Sequence, residues 1–374
     1  MIHCLAPLTP QQFLSQYWQQ QARVFRQSMP DMIDVVSGDD LAGLACDEGS
    51  ESRIITGYDH HGQWSCEQGP FSEQTFAQLG EKNWTLLVQG VDQYSEDIYQ
   101  LLSRFDFLPR WRLEDIMASY APLGGGVGPH FDYYDVFLIQ ISGSRQWRLG
   151  QQCDDQTPLQ NNSQAKLLQQ FVTEDSHELH PGDMLYIPAG QAHWGTAMTD
   201  DCITFSVGFR APSQKELLNA TVEYVIDHAA QQQRYRDTAK SIDTHPGKIN
   251  VHTVSVLEEL AEVSPAVWQE ALQKAFGELV TEPRYGGWAD EDITSMSKEA
   301  IQGHIEQQGE LVFDVPASTR IAFSDKALYV NGESYAVDEA FSKQFYQQRI
   351  PSSSVNDVTL DILFTLFERG DILL

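Results

Sequence analysis

Three residues near the middle of the chain have the types and spacing of metal ligands. His130 and Asp132 are two positions apart, and residues i and i+2 of a strand point to the same face, so an imidazole and a carboxylate can reach one ion. His193 follows a Pro-Gly-Asp turn and a short apolar segment. Two histidines and a carboxylate that leave coordination positions open form the facial triad of non-haem Fe(II) oxygenases. A zinc hydrolase uses the same ligand types and is the alternative, although the sequence has no helical HExxH pattern.

Arg145 is predicted to point toward this metal. Strand alternation places Arg145 with Trp147 and Leu149 on the more apolar face, which is expected to be the inner one. A buried guanidinium needs an anion, and a carboxylate matches its two-pronged geometry. An internal salt bridge to Asp115 or Glu174 is one interpretation, and a ligand carboxylate is the other. Beside a metal triad, the inward arginine favours a dicarboxylate co-substrate such as 2-oxoglutarate.

The elements that must position these residues are predicted to be strands. Between residue 115 and Phe209, short apolar strands alternate with glycine and proline turns, a pattern typical of an all-β barrel or sandwich. The glycine-rich run 124–128 allows a sharp backbone turn just before His130. We therefore expect a mainly β catalytic domain over residues 1–210. The glycine run is expected to bring the ligands to the barrel mouth and not to bind phosphate.

The remainder of the chain has a different pattern. Apolar residues recur at helical spacing between residues 211 and 280, which predicts a helical region. Residues 281–374 combine helical patterns with short strands around Asn331-Gly332, a hairpin signal, and we expect a winged-helix-like α+β module. From 291 to 374 there are 14 acidic and 6 basic residues, so direct nucleic-acid binding is not expected. A structural or protein-contact role is favoured.

The composition restricts the partners. The net charge of −29 disfavours binding to nucleic acid and anionic membranes and favours basic partners, although such a surface also serves solubility alone.

The five cysteines are odd in number and include no CxxC, which argues against a disulfide framework and a structural zinc site. The adjacent His60-His61 is interpreted as a surface turn. Without a signal peptide or a run of about 18 apolar residues, a cytoplasmic location is expected.

Longer stretches of the sequence resemble a known family. GGGVGPHFDYYDVFLIQISGSRQWRLG (124–150) and PGDMLYIPAGQAH (181–193) are similar to the JmjC/cupin class of 2-oxoglutarate oxygenases, in particular to the bacterial ribosomal oxygenases. NWTLLVQ (83–89) and SVGFR (206–210) are similar as well, so the resemblance covers nearly the whole chain. It implies a double-stranded β-helix, the cupin/JmjC jelly roll, followed by an α-helical dimerisation region and a winged-helix-like module.

The resemblance also implies a chemistry. His130, Asp132 and His193 would bind Fe(II), Arg145 would hold the distal carboxylate of 2-oxoglutarate, and O2 would be the second co-substrate. The enzyme would be a homodimer that hydroxylates the β-carbon of an arginine in a basic protein of the large ribosomal subunit. A histidyl hydroxylase or a demethylase of the same class, and a non-catalytic metal-binding cupin, remain alternatives.

Five further residues are candidates for binding. Thr204 and Ser206 alternate on a later strand and could contact a carboxylate of the co-substrate, and Ser119 is a third candidate. For an arginine substrate, Asp135 could pair with the guanidinium and Tyr134 could stack on it. The other interpretation is that Asp135 caps a turn and the tyrosine packs.

Overall fold

A computed structural model describes residues 4–57, 64–160, 166–229, 233–240, 245, 247–283 and 297–374. The predicted turn at His60-His61 lies outside the described residues, as do residues 284–296. Within the described part of the chain, no helix is both long enough and apolar enough to cross a membrane.

The first part of the chain is mainly β. Its first helix begins at Pro10, because the Thr9 side chain accepts a hydrogen bond from the Gln12 backbone and proline fits the first turn. In chain order the elements are α1 (Pro10–Gln16), β1 (Arg23–Phe25), α2 (Gly38–Ala45), β2 (Ser52–Thr56), β3 (Ser65–Gln68), α3 (Glu73–Gln78), β4 (Trp84–Val88), α4 (Glu96–Leu101), β5 (Leu113–Ala121), β6 (Asp135–Ser142), β7 (Arg145–Gln152), β8 (Asp175–Leu179), β9 (Met184–Ile187), β10 (Gln191–Ala197) and β11 (Cys202–Phe209).

These strands form two antiparallel sheets. The large sheet has the order β1-β9-β6-β11-β5-β4-β2-β3, and the small sheet has the order β10-β7-β8. Neighbours in the large sheet, such as β6 and β9, are distant in sequence, because the chain passes between the sheets several times. This is the jelly-roll architecture that the sequence predicts.

Alternation along the strands gives the large sheet two apolar faces. Phe137, Phe205 and Phe209 pack on the outer face with residues of the N-terminal helices. Leu138 and Leu185 point the other way and share an inner cluster with residues of the small sheet. Burying one such side chain stabilises the fold by roughly 1.5–3 kcal/mol. Because both faces are apolar, polar residues on the inner face stand out as candidates for function.

The rest of the chain comprises helices and a small α+β unit. Its elements are α5 (Gln214–His228), α6 (Val251–Leu260), α7 (Pro265–Thr281), α8 (Lys298–Gln308), β12 (Glu310–Val312), β13 (Ile321–Ser324), β14 (Ala327–Val330), β15 (Glu333–Ala336), α9 (Glu339–Tyr346), β16 (Arg349–Pro351) and α10 (Asp357–Glu368). The predicted helical region contains three helices, of which α5 ends at His228 and the last two lie on either side of a break after Leu260. The break ends at Ser264-Pro265, where the serine caps a new helix with proline in its first turn.

The C-terminal unit has its own hydrophobic core. Phe313, Phe345 and Leu363 are buried in one cluster of this unit. Strands β13, β14 and β15 form a wing, and the turn Asn331-Gly332 has the two positive φ angles, 47° and 83°, that the hairpin prediction requires. The winged-helix-like α+β character is therefore confirmed. The boundaries at residues 210 and 280 stay predictions.

Candidate active site

The predicted metal ligands converge. His193 lies on β10, and His130 pairs with it through reciprocal backbone hydrogen bonds of 3.1 and 2.8 Å. One ligand atom from each of His130, Asp132 and His193 lies within 4.8 Å of the other two. The distance between His193 Nε2 and Asp132 Oδ2 is 3.5 Å. A single ion with ligand bonds of about 2 Å can bridge such atoms.

The tautomers of both histidines suit a metal. His130 Nδ1 lies 2.9 Å from the Gly128 carbonyl oxygen, and His193 Nδ1 lies 3.0 Å from that of Gln191. Each Nδ1 therefore carries the proton and donates it, which leaves each Nε2 lone pair for an ion. Burial, followed by the nearby His130, lowers the pKa of His193, so its imidazole is neutral at neutral pH. Two Nε2 lone pairs and one carboxylate match a divalent transition metal.

The glycine run holds the ligand loop in place. Gly124 and Gly128 have φ angles of +79° and +83°, which other residues rarely adopt. A Cβ on Gly126 would collide with the carbonyl oxygen of Gly195 on β10. The run thus crosses close to the strand that carries His193, as the sequence interpretation requires. Its glycines allow the backbone of the run to approach the backbone of β10 closely.

Arg145 points into the space between the sheets. Its side chain is 2% exposed, and its Nε donates a 3.3 Å hydrogen bond to Cys202 Sγ. Its Nη2 has no hydrogen-bond partner among the described residues, and none of those residues forms an ion pair with it. The Asp115 carboxylate instead accepts from the Gly90 backbone, and Glu174 is exposed. The internal salt bridge is therefore not observed, and a buried cation is left for a ligand anion.

The three hydroxyl candidates share the inner face of the large sheet. Thr204 and Ser119 are opposite each other in the register of β11 and β5, and both are buried. The Thr204 hydroxyl donates to Gln140 Oε1 at 3.0 Å, and the Ser119 hydroxyl donates to the Thr204 carbonyl at 3.2 Å. Ser206, one inward position further along β11, is half-buried. Their roles in binding a carboxylate stay predictions.

Asp135 is placed differently from the prediction. It is fully buried and belongs to the outer face of β6, the face of Phe137. Its carboxylate accepts hydrogen bonds from the Tyr186 hydroxyl at 2.6 Å and from Arg112 Nη2 and Gln19 Nε2, both at 3.2 Å. Because the chain's own arginine already pairs with it, Asp135 is not available to a substrate guanidinium. The interpretation of Asp135 as a substrate-binding residue is corrected accordingly.

Tyr134 lies among carboxylates that the sequence interpretation missed. Its pKa is raised to about 12, first by burial and then by the negative charges of Asp132, Glu114 and Asp115. Asp115 is buried on β5. Glu114 Oε1 lies 3.5 Å from Arg210 Nη1. The adjacent acidic residues Glu114 and Asp115 at the start of β5 are the feature of the sequence that could have indicated these carboxylates. Their proximity to Tyr134 depends on β11 lying between β5 and β6.

Comparison with known proteins identifies the family. A family profile of the JmjC domain matches residues 100–217. The ribosomal protein uL16 3-hydroxylase of Escherichia coli (strain K12) is 36% identical over 275 residues, which are 73% of this chain and 71% of that protein. A probable ribosomal oxygenase of Haemophilus influenzae is 40% identical over 215 residues, 57% of this chain and 52% of that protein. The chain belongs to the JmjC-type ribosomal oxygenases.

Solved structures of this family extend the match to the whole chain. The ribosomal oxygenase YcfD from Escherichia coli in complex with cobalt and 2-oxoglutarate is 30% identical, with a TM-score of 0.80 over 98% of each chain. An X-ray structure of E. coli YcfD gives a TM-score of 0.84, also over 98% of each chain. The helical region and the C-terminal unit of this ribosomal oxygenase therefore belong to the shared fold. All the predicted site residues fall within the JmjC match.

Proposed function

We propose that this protein is an Fe(II)- and 2-oxoglutarate-dependent hydroxylase that modifies the β-carbon of an arginine in large-subunit ribosomal protein uL16. The observation that carries the proposal is the pairing of a converging two-histidine, one-carboxylate triad with a buried arginine that lacks a counter-ion. The E. coli relative is a uL16 3-hydroxylase, and the YcfD structure holds cobalt and 2-oxoglutarate. Both support the assignment.

Different residues of the chain bind the metal and the co-substrate. His130, Asp132 and His193 hold Fe(II), and Arg145 holds the distal carboxylate of 2-oxoglutarate. When bound, the iron couples decarboxylation of 2-oxoglutarate by O2, giving succinate and CO2, to hydroxylation of a C–H bond. Trp147 and other apolar residues of the inner cluster keep water from the co-substrate. Ser119, Thr204 and Ser206 are the polar inner-face residues that complete its surroundings.

The substrate arginine enters where Tyr134 lies. With its raised pKa, the Tyr134 phenol stays protonated at neutral pH, and its ring offers a face for a guanidinium. Asp115 and Glu114 make the surroundings of Tyr134 negative, and Glu114 also pairs with Arg210. The net charge of −29 attracts a basic ribosomal protein to this opening and repels nucleic acid. A protein that modifies a ribosomal component acts in the cytoplasm.

A homodimer explains an otherwise costly surface. Helix α5 exposes Leu218, Val222 and Ile226, of which Ile226 is 63% exposed. Helix α6 adds the exposed side chains of Val254 and Leu257. Several exposed apolar side chains on these two helices favour contact with another protein surface. We assign them to a second copy of the chain, so that Ile226→Glu should convert a dimer into a monomer in light scattering.

The decisive experiment measures hydroxylation directly. The Fe(II)-loaded protein is incubated with 2-oxoglutarate, O2 and uL16 peptides, and mass spectrometry determines whether one oxygen atom is added at arginine. Succinate formation is followed in parallel, with Arg145→Ala as the negative control. Modification at histidine, or loss of methyl groups from methyl-lysine peptides, would indicate another JmjC activity. Absence of 2-oxoglutarate binding and of turnover would indicate a non-catalytic cupin.

A further inference from the structure

Arg145 Nε donates its hydrogen bond to a thiol sulfur, which carries no formal charge. Arg145 begins β7 in the small sheet, whereas Cys202 begins β11 in the large sheet. The 3.3 Å hydrogen bond from Arg145 Nε to Cys202 Sγ therefore joins the two sheets across the interior. Cys202 is fully buried against Ala121 and Ala197. The sulfur thus fixes one edge of the guanidinium.

A second residue fixes the sulfur. Gln140 Nε2 lies 3.3 Å from Cys202 Sγ and also donates to the carbonyl oxygens of Ser142 at 2.8 Å and Ile203 at 3.2 Å. Gln140 Oε1 accepts from the Thr204 hydroxyl. These bonds determine which end of the amide faces the sulfur. The two N–H groups of Gln140 are taken by the two nearer carbonyl oxygens, so the sulfur packs 3.3 Å from an amide nitrogen that is already fixed, and its position is set by the strands and not by the arginine.

The choice of sulfur has an electrostatic consequence. A guanidinium carries five N–H donors, and a buried one requires a strong acceptor or an anion. A carboxylate at position 202 would bind Nε and also neutralise the charge, and it would compete with any incoming anion. A thiol sulfur is only a weak acceptor. It orients Arg145 while the positive charge remains and Nη2 stays without a partner among the described residues.

We propose that Cys202, fixed by Gln140, is a positioning residue for 2-oxoglutarate: it orients Arg145 through Nε and leaves its Nη edge and its charge to the distal carboxylate. The proposal rests on the function proposed above, in which Arg145 binds that carboxylate. It assigns Cys202 a role in affinity for the co-substrate and none in substrate recognition. It also explains why the arginine is buried without an internal counter-ion.

The test is a series at position 202, with 2-oxoglutarate affinity as the readout. Isothermal titration calorimetry is carried out on the Mn(II)-loaded protein without O2, so that binding is measured apart from turnover. Cys202→Ala removes the acceptor and should weaken binding about 2- to 10-fold, the value of one hydrogen bond to a weak acceptor. Cys202→Ser keeps an acceptor and should restore most of the affinity. Cys202→Asp supplies an internal counter-ion and should weaken binding by about 100-fold.

The controls separate this inference from the function on which it rests. Cys4→Ala removes a cysteine that is equally buried in the outer core and should leave 2-oxoglutarate affinity unchanged. In turnover, Cys202→Ala should raise KM for 2-oxoglutarate with little change in KM for the peptide. Wild-type affinity in folded Cys202→Ala, as judged by its melting curve, would overturn the inference. Wild-type affinity in Arg145→Ala would instead overturn the assignment of Arg145.

Discussion

Arg320 of the C-terminal unit donates a 2.6 Å hydrogen bond to the carbonyl oxygen of Leu113 at the start of β5. The same guanidinium donates to the Glu114 carbonyl at 2.8 Å and to that of Val280, near the end of α7, at 3.4 Å. One side chain therefore connects three parts of the chain. Two of these acceptors belong to the segment that places Glu114 and Asp115 beside Tyr134. The C-terminal unit thus supports the side of the site where the substrate arginine is proposed to enter.

Replacing Arg320 with alanine should lower stability and weaken peptide binding together. Hydrogen bonds to a charged group contribute roughly 1.5–3 kcal/mol each, and three are lost, so we expect the free energy of unfolding to fall by at least about 4 kcal/mol in urea titrations. KM for the peptide should rise, whereas 2-oxoglutarate affinity should stay the same. Lys326→Ala, an exposed change on the same wing, is the matched control. Equal unfolding midpoints for the two variants would contradict the prediction.

Asp135→Asn tests the corrected role of Asp135. Its carboxylate pairs with Arg112 in a buried position, and removing one partner of such a pair costs about 3–5 kcal/mol because the other charge is left uncompensated. We therefore expect a large fall in melting temperature. Near-normal KM values for peptide and 2-oxoglutarate are expected in the folded protein at low temperature. A selective rise in peptide KM without loss of stability would restore Asp135 to the substrate site.

Tyr134 should make stability depend on alkaline pH. Its pKa is about 12 in the folded protein against 10.0 for the reference side chain, so the unfolded chain loses its proton first. The resulting stability is fully present below pH 10 and is lost as pH rises toward 12. With about 1.4 kcal/mol per pKa unit, the loss amounts to roughly 2–3 kcal/mol. Tyr134→Phe should lose less stability than wild type between pH 10 and 12 in chemical unfolding, and identical slopes would refute the assignment.

Substitution of a metal ligand should weaken metal binding, whereas substitution of a neighbouring residue should not. Asp132→Asn leaves an amide in place of the anionic ligand, and Fe(II) or Mn(II) binding in titrations should fall at least about 100-fold, because ligating carboxylates and their supports set metal affinity. A chelator should remove activity from the wild type, and added Fe(II) should restore it. Asp132→Asn should not be restored. Tyr133→Phe, an exposed neighbour, should keep full affinity.

Local sequence was sufficient for residues whose neighbours in the chain decide their direction. The alternation that turned Arg145 inward required only strand geometry. His130 and Asp132 converge as predicted, but His130 forms only an isolated β-bridge and Asp132 lies in the loop after it. The jelly roll and the helical and winged regions followed from the pattern of apolar residues and turns, and from the family resemblance. For Asp135 the same parity was available, since it shares a face with Phe137 and not with Asp132. It was missed because both faces of β6 are apolar, and sequence alone does not say which one is inside.

Only the tertiary structure decided which distant residues meet. Tyr134 meets Glu114 and Asp115 because β11 brings β5 and β6 together, and Arg320 reaches across 206 positions to Glu114. The partner of Arg145 was also undecided, because an internal salt bridge and a ligand carboxylate are equally compatible with an inward arginine. Strand pairing over long separations is set by the packing of the whole core, which no local window contains. The sequence thus determined the ligands and their chemistry, and the fold determined the surroundings that direct it.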